Sequence, residues 1–237
     1  MVNPRNSKTQ TEKMIKLVAF DWNGTLIADG ELVIRCCNAE LKEGYKVNKR
    51  INLKIYREVF DIPINQFFID LGLDKNLVEQ KVTEAADVFH KEYEKGIKKC
   101  RTRKKAKKTL EWLRNNNIES VIVSNHAKEK IEEQLQRLKI KNLISRVCGN
   151  DHVYVAYTIK GKEKRLLDYL EKNKVKTSEV LLVGDAVEDI KIGKDMGSIT
   201  AALLNGHCST ARLRASKPDY IINNLEELIG IVKKLNS

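Results

Sequence analysis

The stretch Lys16-Leu-Val-Ala-Phe-Asp-Trp-Asn-Gly-Thr-Leu26 decides how this chain is read. It predicts a short apolar strand, about Ile15 to Phe20, that delivers the carboxylate of Asp21 into a turn made by Asn23 and Gly24. Open α/β sheets bind their ligands at the carboxyl ends of strands. A carboxylate at that edge can act as a nucleophile or metal ligand toward a phosphate, and a following glycine leaves backbone N–H groups unshielded. Alone, the pattern fits a polar turn after a core strand better than a site.

A second stretch changes the weighing. Val180-Leu-Leu-Val-Gly-Asp185-Ala-Val-Glu-Asp189 is again an apolar run ending in glycine and acids, and Val121-Ile-Val-Ser124-Asn125 ends a third run in a hydroxyl and an amide. Between these runs lie segments with helical spacing. Strand and helix alternate through the second half of the chain, which implies an α/β fold with a parallel sheet covered by helices on both faces.

The ordered set resembles the haloacid dehalogenase superfamily, in its phosphoglycolate phosphatase-like branch, from Met14 to the C-terminus. The resemblance implies a Rossmann-like, doubly wound parallel sheet built from residues 14–28 and 105–237, with residues 29–104 inserted as an all-helical cap. It also implies a Mg²⁺-dependent phosphatase that hydrolyses a small phosphomonoester, a small phosphorylated metabolite, through an aspartyl-phosphate on Asp21. Covalent catalysis of this kind splits one difficult displacement into two easier ones. Asp185 would share Mg²⁺ with Asp21 and with the backbone carbonyl of Asn23, and Asp189 would orient the ligands from behind. Oxygen-only ligation suits that ion.

Ser124 and Asn125 would donate to the phosphate, the latter from the start of a helix, together with Gly24 and Thr25. The lysine that bridges nucleophile and phosphate is Lys160, whose spacing before Gly184-Asp185 fits the branch, or Lys162 at the helix start. One position departs from the pattern. Asn23 stands where most phosphatases of the superfamily carry the aspartate that protonates the leaving oxygen, a role worth roughly 10²–10⁴ in rate and one that an amide cannot fill. That departure keeps open a slow or inactive member that binds a phosphorylated ligand or nucleic acid. A dehalogenase or phosphonate hydrolase is a further alternative, although Gly184-Asp185 argues for a metal that dehalogenases do not need.

Composition bounds the rest. The 237 residues are 42% hydrophobic and 32% charged, as expected of a chain with a substantial core. No apolar run approaches the ~20 residues that span a bilayer, and the first dozen residues are polar, so a cytoplasmic protein with a flexible tail over residues 1–13 is expected. Five cysteines without C-x-x-C spacing suggest neither a disulfide framework nor a zinc site. The formal charge is +12, and nine lysines and arginines fall between Lys95 and Lys108 with no acid among them. Without interleaved aromatics this run reads as a solvated face, or as a rim that draws in anions, with weak non-specific nucleic-acid binding at most.

Helices are expected at Leu32–Glu43, Asn52–Phe60, Ile64–Leu71 and Asn76–Lys95 in the insert. In the core, Val153–Ile159 is apolar enough to predict a strand. Ser124-Asn125-His126 predicts a turn and helix start with His126 as a polar residue there, and Gly206-His207-Cys208-Ser209-Thr210 a loop near the site.

Overall fold

The computed structural model describes residues 14–237, so the tail expected over 1–13 lies outside the described residues. Its centre is a six-stranded sheet in the order β3-β2-β1-β4-β5-β6. The strands are β1 Leu17–Phe20, β2 Glu119–Ala127, β3 Arg146–Asn150, β4 Val180–Gly184, β5 Ile199–Leu203 and β6 Tyr220–Ile222. Every pairing is parallel. Register explains why the acids meet. Phe20 pairs with Ile122 on one side and Val183 on the other, so Asp21 and Asp185 leave the sheet at its carboxyl edge, level with Ser124 of β2.

Strand residues alternate between the two faces. Val18, Phe20, Ile122 and Val183 join the larger apolar core, and Leu17, Ala19, Val121 and Leu182 the smaller one behind. Helices cover both faces of the sheet. Three of them, α5 Ala106–Asn115, α6 Lys128–Arg137 and α11 Glu227–Leu235, send Leu110, Ile131 and Leu228 into the first core. Two more, α8 Lys162–Lys172 and α9 Val187–Asp195, send Leu166 and Ile192 into the second, and α10 Thr210–Ala215 adds Leu213 to a small cluster with Ala202 of β5. Asn117 and Gly197, both at positive φ, follow the ends of α5 and α9, as the turn preferences of asparagine and glycine predict.

After β1 the chain leaves the sheet through α1 Gly30–Ala39 with a widened turn at Glu40–Gly44, α2 Leu53–Val59, α3 Ile64–Asp70 and α4 Lys75–Ile97, and returns through α5. The Asp74 side chain caps α4 by accepting from the Leu77 N–H at 2.9 Å, satisfying one otherwise orphaned helix donor. Gly44 lies against Ala85 so closely that a Cβ there would collide with its backbone. Among the described residues no helix is long and apolar enough to cross a membrane.

Two local expectations are corrected. Val155–Thr158 is a single helical turn, α7, rather than a strand. Neighbouring Ala156 and Tyr157 both turn inward, as in a helical turn and unlike the alternation of a strand, while Tyr154 and Ile159 remain exposed. The chain at Ser124-Asn125-His126 is still strand, with α6 beginning only at Lys128. There the strand continues past an irregularity to pair Ala127 with Asn150, and Asn150 Nδ2 donates to the Asn125 carbonyl at 2.6 Å. Asn125 is therefore not at a helix N-terminus.

The basic run is divided by the fold. Arg103 donates to the Leu204 and Asn205 carbonyls, Lys105 and Lys108 pair with Glu226, and Lys95 pairs with Glu92.

Candidate active site

Asp21 follows β1 directly, and its N–H donates to the Val183 carbonyl at 2.8 Å, which ties it to the neighbouring strand. Asp185 follows β4 in the same way, and Asp189 sits in the first turn of α9, where its carboxylate accepts from the Ala186 N–H at 3.0 Å. All three side chains are buried and each offers an oxygen within 4.8 Å of the others, an arrangement that can hold a metal ion. Buried like charges repel. Loss of solvent, opposed by Lys162, together with Asp189 and Asp185, pushes Asp21 well above the usual carboxylate range.

Lys162 supplies the one ammonium in this group. Its Nζ lies 2.6 Å from Asp21 Oδ1 and also bonds Asp189. Burial works against its charge, yet Asp189 and Asp21 outweigh burial and hold the ammonium above its ordinary pKa. Lys160, two residues earlier, is exposed. Of the two lysines left open by the sequence, the fold brings Lys162 to the carboxylates. A readable signal for it existed, because Lys162, Leu166 and Leu170 recur every fourth residue on the buried face of α8.

Thr25 and two glycines shape the base of the site. The fully buried Thr25 hydroxyl donates to Asp185 Oδ1 at 2.5 Å, so it supports the acid rather than facing the cavity. The His207 N–H donates to Asp185 Oδ2 at 2.5 Å. Gly24 adopts φ +75° with its Cα turned to Asp185, and a Cβ on it or on Gly206 would collide with the Asp185 carboxylate. Ser124 and Asn125 line the cavity with Asp21, Asn23, Lys162, Asp185 and Asp189. The Ser124 oxygen accepts from the His126 N–H at 3.1 Å, which leaves its own proton free to donate. The Asn125 amide is committed, with Nδ2 on Glu188 Oε2 at 2.7 Å and Oδ1 accepting from Arg165.

Asn23 belongs to a cluster that the sequence did not reveal. Its Nδ2 donates to Asp29 Oδ2 at 2.7 Å and to the Tyr93 hydroxyl oxygen at 2.8 Å, while the Gly24 N–H donates to Asp29 Oδ1 at 2.9 Å. Tyr93 donates in turn to Asp29 at 2.8 Å. His207 Nε2 stands 3.3 Å from Asp29 Oδ1 as an ion pair rather than an aligned hydrogen bond. Burial pulls against the charges of this pair, but Asp29 raises His207 to about 9, with help from Asp185 and Asp21. In the other direction, burial would raise Asp29, and the contacts with His207, Asn23 and Tyr93 more than reverse it. Asp29 lies at the N-terminal flank of α1 without capping it, and His207 comes from the loop after β5. No local pattern announces their pairing.

His126 lies in β2, its ring 5.5 Å from that of Tyr93 and edge-on to it. It is not at a helix start, where the sequence placed it.

Residues 18–203 match the family model described as "Haloacid dehalogenase-like hydrolase". A phosphoglycolate phosphatase of Vibrio parahaemolyticus is 28% identical over 227 residues, 94% of this chain and 98% of that protein. Pyrophosphatase PpaX of Bacillus cereus is 28% identical over 225 residues, again 94% and 98% of the two chains. Among solved structures, that of a predicted phosphatase from Clostridium acetobutylicum superposes with a TM-score of 0.78 at 17% identity, over 93% of this chain and 99% of that one. At that identity the likeness speaks for the fold alone.

Proposed function

The chain belongs to the haloacid dehalogenase-like hydrolase family, and from that premise we propose that it is a Mg²⁺-dependent phosphatase of a small phosphomonoester, with Asp21 as nucleophile. One observation carries this reading. A buried carboxylate at the end of the central strand has a lysine ammonium 2.6 Å away and two further carboxylates whose oxygens lie within 4.8 Å.

Asp21 Oδ1 is held by Lys162, and its other oxygen is left to attack phosphorus as the ester oxygen departs, giving the aspartyl-phosphate that water then hydrolyses. Lys162 orients the carboxylate and offsets the charge of the incoming phosphoryl oxygens as a compact point charge. Ser124 donates its hydroxyl to one of those oxygens. The residues fit a divalent cation, since three buried carboxylates with a single ammonium leave net negative charge, and their donors are all oxygen, which suits Mg²⁺. Asp21, Asp185 and Asp189 would hold it, with the Asn23 carbonyl, and when bound it would screen the phosphoryl group's negative charge.

A second reading rests on Asn23. With its amide tied to Asp29 and Tyr93, the position offers no proton to a leaving group, which favours a chain that binds phosphorylated ligands and turns them over slowly or not at all. A single experiment separates the two. The protein is incubated with a panel of phosphomonoesters with and without Mg²⁺ and with acetyl phosphate as phosphoryl donor, and acid-quenched samples are analysed for phosphate on Asp21. Release of phosphate that needs Mg²⁺ and is lost in Asp21→Asn supports the phosphatase. Binding without release supports the second reading.

A further inference from the structure

Above the carboxylates the cavity changes character. Tyr56 and Phe60 stack at 4.9 Å, and both meet the His207 ring edge-on at 5.6 Å. Phe89, stacked on Tyr93 at 5.8 Å, lines the same space, as do Ile62 and Ile64 from the α2–α3 segment. All of these except His207 come from the helical insert, so the insert supplies the part of the cavity that a leaving group would occupy.

The distribution of charge is one-sided. Among the described residues that line the cavity, Lys162 is the one lysine or arginine, and its ammonium is already shared by Asp21 and Asp189. The charge on His207 faces Asp29. Burial pulls His90 and His126 down to about 4, which leaves both rings neutral near pH 7. A carboxylate or second phosphate on the leaving group, turned toward the insert, would therefore lose water without gaining a cationic side chain, and an unpaired buried charge is strongly disfavoured. An alkyl or ring group meets aromatic and aliphatic faces instead.

Resting on the phosphatase reading above, we propose that this site selects small phosphomonoesters whose leaving group is uncharged and apolar, and rejects those whose leaving group is itself an anion. The apolar faces of the insert, rather than an enclosed volume, carry the selection. This separates the chain from the relatives named for phosphoglycolate and for pyrophosphate, in whose namesake compounds the group beyond the phosphoryl is anionic.

Isobutyl phosphate and 2-phosphoglycolate have nearly the same shape and differ in an isopropyl group against a carboxylate. With Mg²⁺ present, kcat/KM for the isobutyl ester is expected to exceed that for phosphoglycolate by about a hundredfold. Equal values or the reverse order overturn the proposal. Ile64→Lys, which brings a cation to the start of α3, should raise the phosphoglycolate-to-isobutyl ratio at least about tenfold, and an unchanged ratio would remove the apolar wall as the cause. Binding is measured separately by calorimetry with butylphosphonate and 3-phosphonopropionate, which are not hydrolysed. Tighter binding of 3-phosphonopropionate refutes the proposal whether or not the chain turns over. Absence of Mg²⁺-dependent hydrolysis of every ester would refute the phosphatase reading instead, and the calorimetric comparison would still decide this one.

Discussion

Lys162 Nζ reaches Asp21 Oδ1 at 2.6 Å with both groups buried, and the same ammonium holds Asp189. A lysine on the first turn of α8 thus links the end of β1 to the start of α9. Its removal leaves two carboxylates facing each other without a counter-charge. Breaking a buried pair from one side typically costs about 3–5 kcal/mol, so Lys162→Met should lose that order of stability in urea unfolding and lose phosphatase activity as well. Lys160→Ala, at an exposed position, should stay within about 0.5 kcal/mol and remain active. Loss of activity in the Lys160 variant alone would return the bridging role to that residue.

Metal dependence has a signature apart from turnover. A ligand that binds only the folded chain stabilises it by about 2.7 kcal/mol at a hundredfold excess over Kd, so Mg²⁺ should raise the Tm of the wild-type protein and chelation should reverse the rise. Asp185→Asn should abolish the shift. Thr25 and the His207 N–H already occupy one lone pair on each Asp185 oxygen, fixing the carboxylate's orientation, and the neutral amide can accept on only one side. A Tm that ignores Mg²⁺ in the wild type would speak against the carboxylate cluster as a metal site.

The His207–Asp29 pair makes stability depend on pH in a stated direction. An unfolded imidazole titrates near ~6.5, whereas the folded one is raised to about 9. Below the lower value both states carry the proton and the pair contributes fully. As pH rises through the window the folded state alone retains it, and the contribution declines until it is lost above the upper value. In metal-free protein, the stability gap between wild type and His207→Gln should be widest near pH 6 and close by about pH 9.5. A constant gap across the range would remove the charged pair.

For nucleic acid the expected result is weak association that salt abolishes. Lys95, Arg103, Lys105 and Lys108 are engaged with Glu92, backbone carbonyls and Glu226, so the run between Lys95 and Lys108 presents fewer free cations than its composition suggests. Each phosphate neutralised contributes a log–log salt slope of roughly −0.7 to −0.9, and a titration with single-stranded oligonucleotides should show a slope of only a few such contacts. Tight binding that survives high salt would contradict this account.

How much of this was legible in sequence depends on whether the signal is local. The strands were legible because apolar runs end in Asp21, Ser124 and Asp185, and the parallel register then carries those ends to one edge. Val153–Ile159 misled because a one-turn helix and a short strand share an apolar composition and cannot be told apart by periodicity over so few residues. The strand continuing through Asn125 was hidden for a similar reason, since it depends on pairing with β3. Asp29, Tyr93 and His207 come from a loop end, the long α4 and the loop after β5, and only the folded chain brings them around Asn23. The aromatic lining of the cavity lies in helices that the sequence predicted, Asn52–Phe60 and Asn76–Lys95, yet which of those residues faced the site could not be inferred from spacing.

Asn23 gives the sharpest test, because its neighbours determine what an aspartate would do there. The Asn23 amide donates to Asp29 Oδ2 at 2.7 Å, so Asn23→Asp sets one carboxylate against another at hydrogen-bond distance. Two carboxylates that close do not both ionise, and the pair keeps a proton. The folded-state pKa of the new acid is then raised, so the variant's stability is intact at low pH and lost as pH rises through that value, and it should melt lower at pH 8 than at pH 5 relative to wild type. The retained proton also restores what the amide lacks. General acid help matters most when the leaving group is a poor one, so turnover of isobutyl phosphate should rise in Asn23→Asp, while p-nitrophenyl phosphate, whose phenolate leaves without protonation, should gain less. Both substrates measured on both proteins settle the matter. If the isobutyl-to-nitrophenyl ratio stays the same or falls, the missing proton is not what limits the wild-type chain, and Asn23 is there to hold Asp29 and Tyr93 in place.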